Sequence, residues 1–311
     1  MKKTVIGSFW REPSLDEQAL REAIKTIVDL QLRYGLDIVS DGELRYDMVG
    51  YFHQIPGLEL TQEGFGISGK ITPMDNLDQF YKIEDYKFVR NYLDEIGNDT
   101  IEIKSAITGP NTLGFLYARE GRKYYRSVID QQIYRDLAHA LRPLVNALYS
   151  IGSYVQIDEP MLSAQFFDPI QAIETINYML ADFSSNERLS VHVCGKLNQK
   201  LIDSMLKTNV ETLSLDFSGD MESNISFLRR DKIEEHGKKI GVGCISIEPK
   251  VDDVDRVDVV LNRLIDIELI IGFENMRYIH PACGMYDIPK EAAEKILKTM
   301  KEVGDRYSKL T

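Results

Sequence analysis

The chain has 311 residues, of which 43% are hydrophobic and 28% are charged, and its formal net charge is -12 at pH 7. The length suits one large α/β barrel or two ordinary domains, and the composition is that of a soluble globular protein. The acidic balance argues against nucleic acid or an anionic membrane as a partner bound through a broad basic surface. The sequence contains no apolar run of roughly 18 residues and no signal peptide at its start, so we expect a cytoplasmic protein without a membrane span.

Short apolar runs alternate with amphipathic stretches along the chain, which is typical of parallel βα units. Residues 54–100 break this rhythm, and we expect a long excursion there, after the second strand, with a short helix near 86–96. The apolar runs predict eight strands, at 5–6, 37–40, 101–107, 154–157, 189–193, 212–215, 239–244 and 276–279. The 3.6-residue spacing of apolar side chains predicts helices at 15–34, 134–151, 170–183, 197–206, 221–230, 254–269 and 290–307.

Eight βα units in about 300 residues is the size of a (βα)8 TIM barrel. The competing arrangement is a doubly wound open sheet. No G-x-G-x-x-G follows the first predicted strand, and no G-x-x-x-x-G-K-[ST] occurs in the sequence, which weakens the nucleotide-binding versions of the open sheet and favours the barrel. Because we find no internal repeat, low-complexity segment or linker, we expect residues 1–311 to form a single α/β TIM-barrel domain.

Polar side chains gather where the predicted strands end, which is the face that carries the active site of a βα barrel. The sharpest element is His192-Val193-Cys194. Residues two apart in a strand face the same way, and zinc prefers such nitrogen and sulfur donors. Closure of a barrel would bring Cys283 back to the same mouth, and Asp216 could complete four ligands. From the residues alone, a zinc site and a buried cysteine beside a hydrogen-bonded histidine stay equally open.

The chain has three cysteines, which are too few for a disulfide framework. In a reduced compartment they are free for packing, for nucleophilic chemistry or for metal binding. We expect Cys244, in Gly241-Val242-Gly243-Cys244, to pack in the core. It is the obvious substitute if the assignment of Cys194 or Cys283 as a ligand is wrong.

Six groups of motifs occur in a fixed order along the chain. They are Ile6-Gly7-Ser8-Phe9, Asp41-Gly42-Glu43 with Asp47-Met48-Val49 and Tyr51-Phe52, Ile107-Thr108-Gly109-Pro110, Gln156-Ile157-Asp158-Glu159-Pro160, His192-Val193-Cys194 and Pro281-Ala282-Cys283-Gly284. Together they resemble the catalytic C-terminal barrel of the cobalamin-independent methionine synthases. The resemblance covers nearly the whole chain and is closest to the short archaeal members, which consist of this barrel alone.

The resemblance implies a (βα)8 barrel with one catalytic zinc ion per chain. It implies that His192, Cys194 and Cys283 are zinc ligands. The fourth ligand of the family is usually a Glu at the end of strand six, and its nearest match is Asp216, one methylene shorter. Zinc coordination stabilises a thiolate, the nucleophilic form of a thiol. The implied reaction is methyl transfer to the homocysteine thiolate, which forms methionine.

The resemblance also implies how homocysteine is held. Ile6, Gly7 and Ser8 match the backbone and hydroxyl groups that contact the substrate carboxylate. Glu43 and Asp158 match the catalytic carboxylates that hold its amino group and so aim the sulfur at the methyl donor. Apart from the resemblance, these two acidic residues could equally form a buried ion pair or cap a strand end.

Departures from the family pattern bear on the methyl donor. The acid-catalytic His of the family corresponds to Glu248, its folate-packing Trp falls near Leu116 or Tyr117, and the chain has no room for the additional N-terminal barrel of the long members. A folate amine leaves poorly unless it is protonated, whereas a cobalt-bound methyl group leaves without a proton. We therefore expect methylcobalamin, or a methylated corrinoid protein, as the donor.

Three alternatives belong to other functional classes. A zinc-dependent methyltransferase acting on another thiol, such as coenzyme M, would not need Glu43 and Asp158 for an amine. A metal-free enzyme similar to uroporphyrinogen decarboxylase would need basic residues for many substrate carboxylates, whereas these strand ends are acidic and carry thiols. A zinc-dependent binding or regulatory protein would retain zinc and homocysteine but would transfer no methyl group.

Overall fold

The computed structural model describes residues 1–11, 16–61, 64–118, 124–183 and 185–310. Its strands are β1 Lys2–Lys3, β2 Ile38–Ser40, β3 Leu58–Thr61, β4 Gly64–Ile67, β5 Glu102–Thr108, β6 Tyr154–Asp158, β7 Leu189–Val193, β8 Thr212–Asp216, β9 Lys239–Ile245 and β10 Met276–Pro281. Its α-helices are α1 Glu17–Arg33, α2 Tyr81–Glu95, α3 Pro110–Tyr117, α4 Gln131–Ser150, α5 Pro169–Met179, α6 Gln199–Met205, α7 Arg230–Glu235, α8 Val257–Ile271 and α9 Lys290–Tyr307. Among the described helices, none is both long and apolar enough to cross a membrane.

Eight of the strands form one parallel sheet in the order β1-β10-β9-β8-β7-β6-β5-β2. The two ends of this sheet meet at a bridge between Thr4 and Ile38, where the Asp37 amide donates to the Lys3 carbonyl at 3.0 Å. The sheet therefore closes into a barrel, as predicted, and the open-sheet alternative is excluded. Closure places the C-terminal ends of all eight strands around one mouth.

The barrel buries its strands on both faces, since side chains fill the interior and helices cover the outside. All five residues of β7 are buried, although two of them are polar. The outer helices bury one stripe each: α9 buries apolar side chains at three- and four-residue intervals, including Ala293, Ile296, Leu297 and Met300. These two layers hold the strand ends in fixed positions.

The excursion predicted after the second strand contains more structure than expected. Its strands β3 and β4 form an antiparallel hairpin, and α2 begins five residues earlier than the predicted helix. The helix packs against α1 and β5. The excursion therefore packs against the wall of the barrel and does not lie loosely over its mouth.

Three local predictions need correction. The first strand is β1, with residues 5–6 beyond it, because only Lys2, Lys3 and the Thr4 bridge pair with neighbouring strands. The helix predicted at 221–230 is a 3-10 helix over Gly219–Phe227 followed by the short α7. Helix α3 is present, although the sequence pattern did not predict it. Residue 15, where the first predicted helix begins, lies outside the described residues.

Candidate metal and substrate site

Three predicted metal ligands converge at the mouth of the barrel. His192 lies on β7, Cys194 follows it, and Cys283 follows β10, 89 residues later in the chain. Their nearest ligand atoms all lie within 4.8 Å of one another. The two Sγ atoms are 3.5 Å apart. One nitrogen and two sulfur donors at this spacing form a donor set that suits zinc.

The hydrogen bonds around His192 fix which ring nitrogen faces the cysteines. His280 Nδ1 donates to the Pro281 carbonyl at 2.7 Å, so its Nε2 accepts from the Ser214 hydroxyl at 2.9 Å. His192 Nδ1 in turn donates to the Ser214 carbonyl at 3.2 Å. His192 Nε2 therefore carries the lone pair, and it is buried without a hydrogen-bond partner in the described part of the chain. An orphaned nitrogen beside two thiols fits a metal ion.

The two thiols differ in acidity. The pKa of Cys283 lies well below its ordinary value because Cys194 shares a hydrogen bond with it and the His192 imidazole lies nearby. The same hydrogen bond and burial raise the pKa of Cys194 well above its ordinary value. The pair therefore favours one thiolate, which is the form that binds a cation.

Asp216 and Cys244 are not members of this group of three donors. Asp216 ends β8, but it is not one of the residues whose ligand atoms lie within 4.8 Å of one another. Its Oδ1 accepts hydrogen bonds from the Ser218 amide and hydroxyl, both at 2.9 Å. Its assignment as a fourth ligand stays a prediction. Cys244 is fully buried in the core.

A cavity of about 380 Å³ opens beside the His192, Cys194 and Cys283 donors. It is wide enough for a small amino acid together with part of a second molecule. Six loops that follow strands contribute to its walls, as the fold predicts. The lining residues are Ile6, Ser8, Glu43, Asp47, Met48, Asp158, Pro160, His192, Cys194, Ile247, Cys283, Gly284, Tyr286 and Asp287.

Glu43 enters this cavity from a tight turn after β2. Both Gly42 and Glu43 have positive φ, 80° and 52°, and the Glu43 amide donates to Asp41 Oδ1 at 3.0 Å. Positive φ is unfavourable for a residue with a side chain, so this turn is held by its surroundings. Burial raises the pKa of Glu43, and the nearby Lys82 ammonium, 2.6 Å from Oε1, opposes that rise.

Asp158 ends β6 and is also buried. Its Oδ1 accepts from Gln156 Nε2 at 2.7 Å, and Gln156 Oε1 accepts from the buried Lys104 ammonium at 2.8 Å. Burial raises the pKa of Asp158 to about 7. The same effect lowers the pKa of Lys104 to about 7. The carboxyl group of Asp158 is therefore connected through the Gln156 amide to the Lys104 side chain inside the barrel.

The segment predicted to bind a carboxylate lies on the same side of the mouth. Ile6 and Ser8 line the cavity, and the Ile6 carbonyl accepts from Gln156 Nε2 at 2.9 Å. Gly7 leaves room for Glu43, because an added Cβ would stand 3.1 Å from Glu43 Oε2. Gly284 leaves room for Ser8, since a Cβ there would overlap with Ser8 Oγ.

Glu159, next to Asp158, has a different role. Its carboxylate accepts from the amides of Asn111 and Thr112 at 3.0 and 2.8 Å, and from both of their side chains. It is fully buried and caps the start of α3. The alternation of side chains along the strand thus sends Asp158 into the mouth and Glu159 outward to the helix layer.

Sequence reasoning missed the residues that support the site. Lys82 and Lys104 are basic residues in stretches with no recognisable motif, and Ser214 is a small polar residue inside a strand. His280 stands directly before the Pro281-Ala282-Cys283-Gly284 run, so its place in the sequence puts it close to a predicted ligand. A lysine in the middle of a predicted barrel strand, as at position 104, is the one pattern that could have pointed to a buried charge.

Comparison with known proteins agrees with this geometry. The family model described as "Cobalamin-independent synthase, Catalytic domain" matches residues 2–306. A methionine synthase from Methanothermobacter marburgensis is 32% identical, with 99% of this chain and 100% of that protein covered. The 5-methyltetrahydropteroyltriglutamate--homocysteine methyltransferase of Burkholderia thailandensis is 25% identical over 91% of this chain, but only 39% of its own length is covered.

Among solved structures, a B12-independent methionine synthase from Shewanella superposes with a TM-score of 0.82 at 18% identity and covers 99% of this chain and 98% of that one. This likeness supports the barrel fold. The family model and the sequence relatives confirm the resemblance and the methyltransferase class predicted from the motifs.

The expected donor is wrong. Because the chain matches a cobalamin-independent family, the prediction that methylcobalamin or a methylated corrinoid protein is the methyl donor is contradicted. The expectation rested on Glu248 standing where the family has a histidine. That inference fails because the lack of one histidine does not exclude a folate donor: side chains from several other loops also line the cavity. The chain belongs to the family of cobalamin-independent synthases, as a member matched over their catalytic domain.

Proposed function

We propose that residues 1–311 form a single catalytic domain that transfers a methyl group from a methylated folate derivative to homocysteine, forming methionine. The observation that carries the proposal is the convergence of His192, Cys194 and Cys283 beside a cavity that Glu43 and Asp158 also line. The names of the relatives from Methanothermobacter and Burkholderia supply the substrate and the donor class.

His192, Cys194 and Cys283 would hold a zinc ion, and Asp216 is the proposed fourth ligand. Bound zinc would lower the pKa of the substrate thiol and stabilise its thiolate. His192 is prepared for this role by the hydrogen bond from its Nδ1 to Ser214, which leaves Nε2 free. The Cys194 and Cys283 pair contributes negative charge, which balances the cation.

The remaining proposed site residues orient the substrate. Ser8 and the backbone of Ile6 and Gly7 would bind the carboxylate, while Glu43 and Asp158 would bind the ammonium group. Two points of attachment fix the direction of the thiol, which reduces the entropy cost of the transfer. The sulfur electron pair forms the new bond to the methyl carbon, and the donor nitrogen keeps the electrons of the broken bond and takes up a proton.

The test is methionine formation by the zinc-loaded protein from homocysteine and 5-methyltetrahydropteroyltriglutamate. We expect methionine in amounts that follow enzyme concentration, and no methylation when coenzyme M replaces homocysteine, because coenzyme M has no amino group for Glu43 and Asp158. Methylation of coenzyme M at a comparable rate, or no product from homocysteine, would contradict the proposal.

A further inference from the structure

We propose that Lys82 is a positioning residue for recognition of the substrate ammonium group, and that it acts by holding the carboxylate of Glu43. This inference rests on the proposed function. Lys82 lies on α2, in the excursion outside the barrel, and it is not part of the cavity wall. Its role therefore has to pass through another residue.

The contact between the two side chains is short and fully enclosed. Lys82 Nζ donates to Glu43 Oε1 at 2.6 Å, and the Lys82 side chain has no exposed surface. The ammonium also lies 3.8 Å from the centre of the Tyr51 ring. A buried lysine is costly unless it is paired, so this ion pair fixes the direction of both side chains.

The two carboxylate oxygens of Glu43 have different surroundings. Oε1 is occupied by Lys82, whereas Oε2 lies next to Gly7, where the missing side chain leaves space. Gly7 belongs to the segment proposed to bind the substrate carboxylate. Glu43 therefore offers one oxygen to an incoming ammonium group while Lys82 anchors the other.

The charged groups around Glu43 support the positioning role of Lys82. Burial raises the pKa of Glu43, and a protonated carboxyl group cannot form an ion pair with a substrate ammonium. Asp41 and Asp47 add to this rise, and Lys82 opposes it. Although burial lowers the pKa of Lys82, the carboxylates of Glu43, Asp41 and Asp85 raise it overall. Lys82 is thus a cation that keeps Glu43 available as an anion.

The test compares two thiols by titration calorimetry of the zinc-loaded full chain. L-homocysteine carries the amino group, and 4-sulfanylbutanoate has the same thiol, chain and carboxylate without it. We expect Lys82→Met to weaken homocysteine binding at least about tenfold and to leave 4-sulfanylbutanoate within about twofold. Lys82→Arg should restore much of the loss. The control Lys87→Met, an exposed lysine on the same helix, should leave both affinities unchanged.

Equal loss of both thiols, or no loss of homocysteine affinity, would overturn the role of Lys82. If Lys82→Met does not fold, the variants Glu43→Gln and Glu43→Gln/Lys82→Met decide the question. Adding Lys82→Met to Glu43→Gln should change homocysteine affinity by less than about twofold, and a further loss of about tenfold would overturn the inference. Equal binding of the two thiols by the unaltered protein would instead contradict the amino-acid substrate of the proposed function.

Discussion

Hydrogen bonds within the protein fix the orientation of the His192 ring. Its Nδ1 is held by the Ser214 carbonyl, and Ser214 is itself bonded to His280. Burial lowers the pKa of His280 to about 3, so His280 stays neutral and its Nε2 accepts a hydrogen bond from the Ser214 hydroxyl. This chain of hydrogen bonds leaves the Nε2 lone pair of His192 directed toward the thiols.

Replacement of one thiol tests this donor set. We expect Cys194→Ala to reduce zinc from about one equivalent per chain to a small fraction, because the remaining donors are too few to hold the ion. The matched control is Cys244→Ala, the same chemical change in a buried cysteine outside the group, which should keep its zinc. Elemental analysis of the purified proteins gives the ratio. Full zinc in Cys194→Ala, or equal loss in both variants, would refute the assignment.

For single residues, the motifs predicted side chains that line the cavity but not the side chains that contact them from behind. His192, Cys194, Cys283, Glu43 and Asp158 stand in short, recognisable runs, and the structure brings them to one mouth. The supporting contacts join distant segments: Lys82 reaches Glu43 across 39 residues, and Lys104 reaches Gln156 across 52. No local pattern encodes such pairs, because they arise only when the elements pack.

At the element scale, periodicity located most strands and helices. Strand 189–193 and helix 290–307 coincide with β7 and α9, since both have clear apolar patterns. Helix α3 escaped prediction because most of its eight residues are buried and its amphipathic signal is weak. Its start also depends on a cap from elsewhere in the chain, the Glu159 carboxylate.

That cap can be tested against an exposed one. Glu159→Ala leaves two amides and a hydroxyl of α3 without acceptors in a buried place, so we expect a loss of about 2–4 kcal/mol in the free energy of unfolding. Asp168 caps α5 on the exposed surface, and Asp168→Ala should cost only about 0.5–1 kcal/mol. Urea unfolding of both variants measures the difference. Similar costs would show that burial does not govern these caps.

At the scale of the whole molecule, closure of the barrel creates the site. The seam between Thr4 and Ile38 brings the first strand beside the second, and it places the Ile6–Ser8 segment next to Glu43 and Gly284. Cys194 and Cys283 meet for the same reason, although 89 residues separate them. The proposed zinc ligands thus lie at the mouth of a barrel whose core consists of apolar side chains.

Removal of zinc tests whether the barrel folds independently of the metal ion. After chelation we expect the far-ultraviolet circular dichroism to stay unchanged, because eight strands and their helices form the core without the donors. Returning zinc at saturating concentration should raise the melting temperature by roughly 5–10 °C, since the ion binds only the folded chain. Loss of secondary structure on chelation would mean instead that the metal is required for folding.

We propose that the substrate sulfur is activated at a centre made of one histidine and two cysteines. X-ray absorption at the zinc edge, recorded on the full chain with and without homocysteine, reports the atoms bound to the metal. We expect one nitrogen and two sulfur neighbours from the protein, with an additional sulfur when homocysteine is added. A spectrum that does not change on addition of homocysteine, or a protein without stoichiometric zinc, would contradict it.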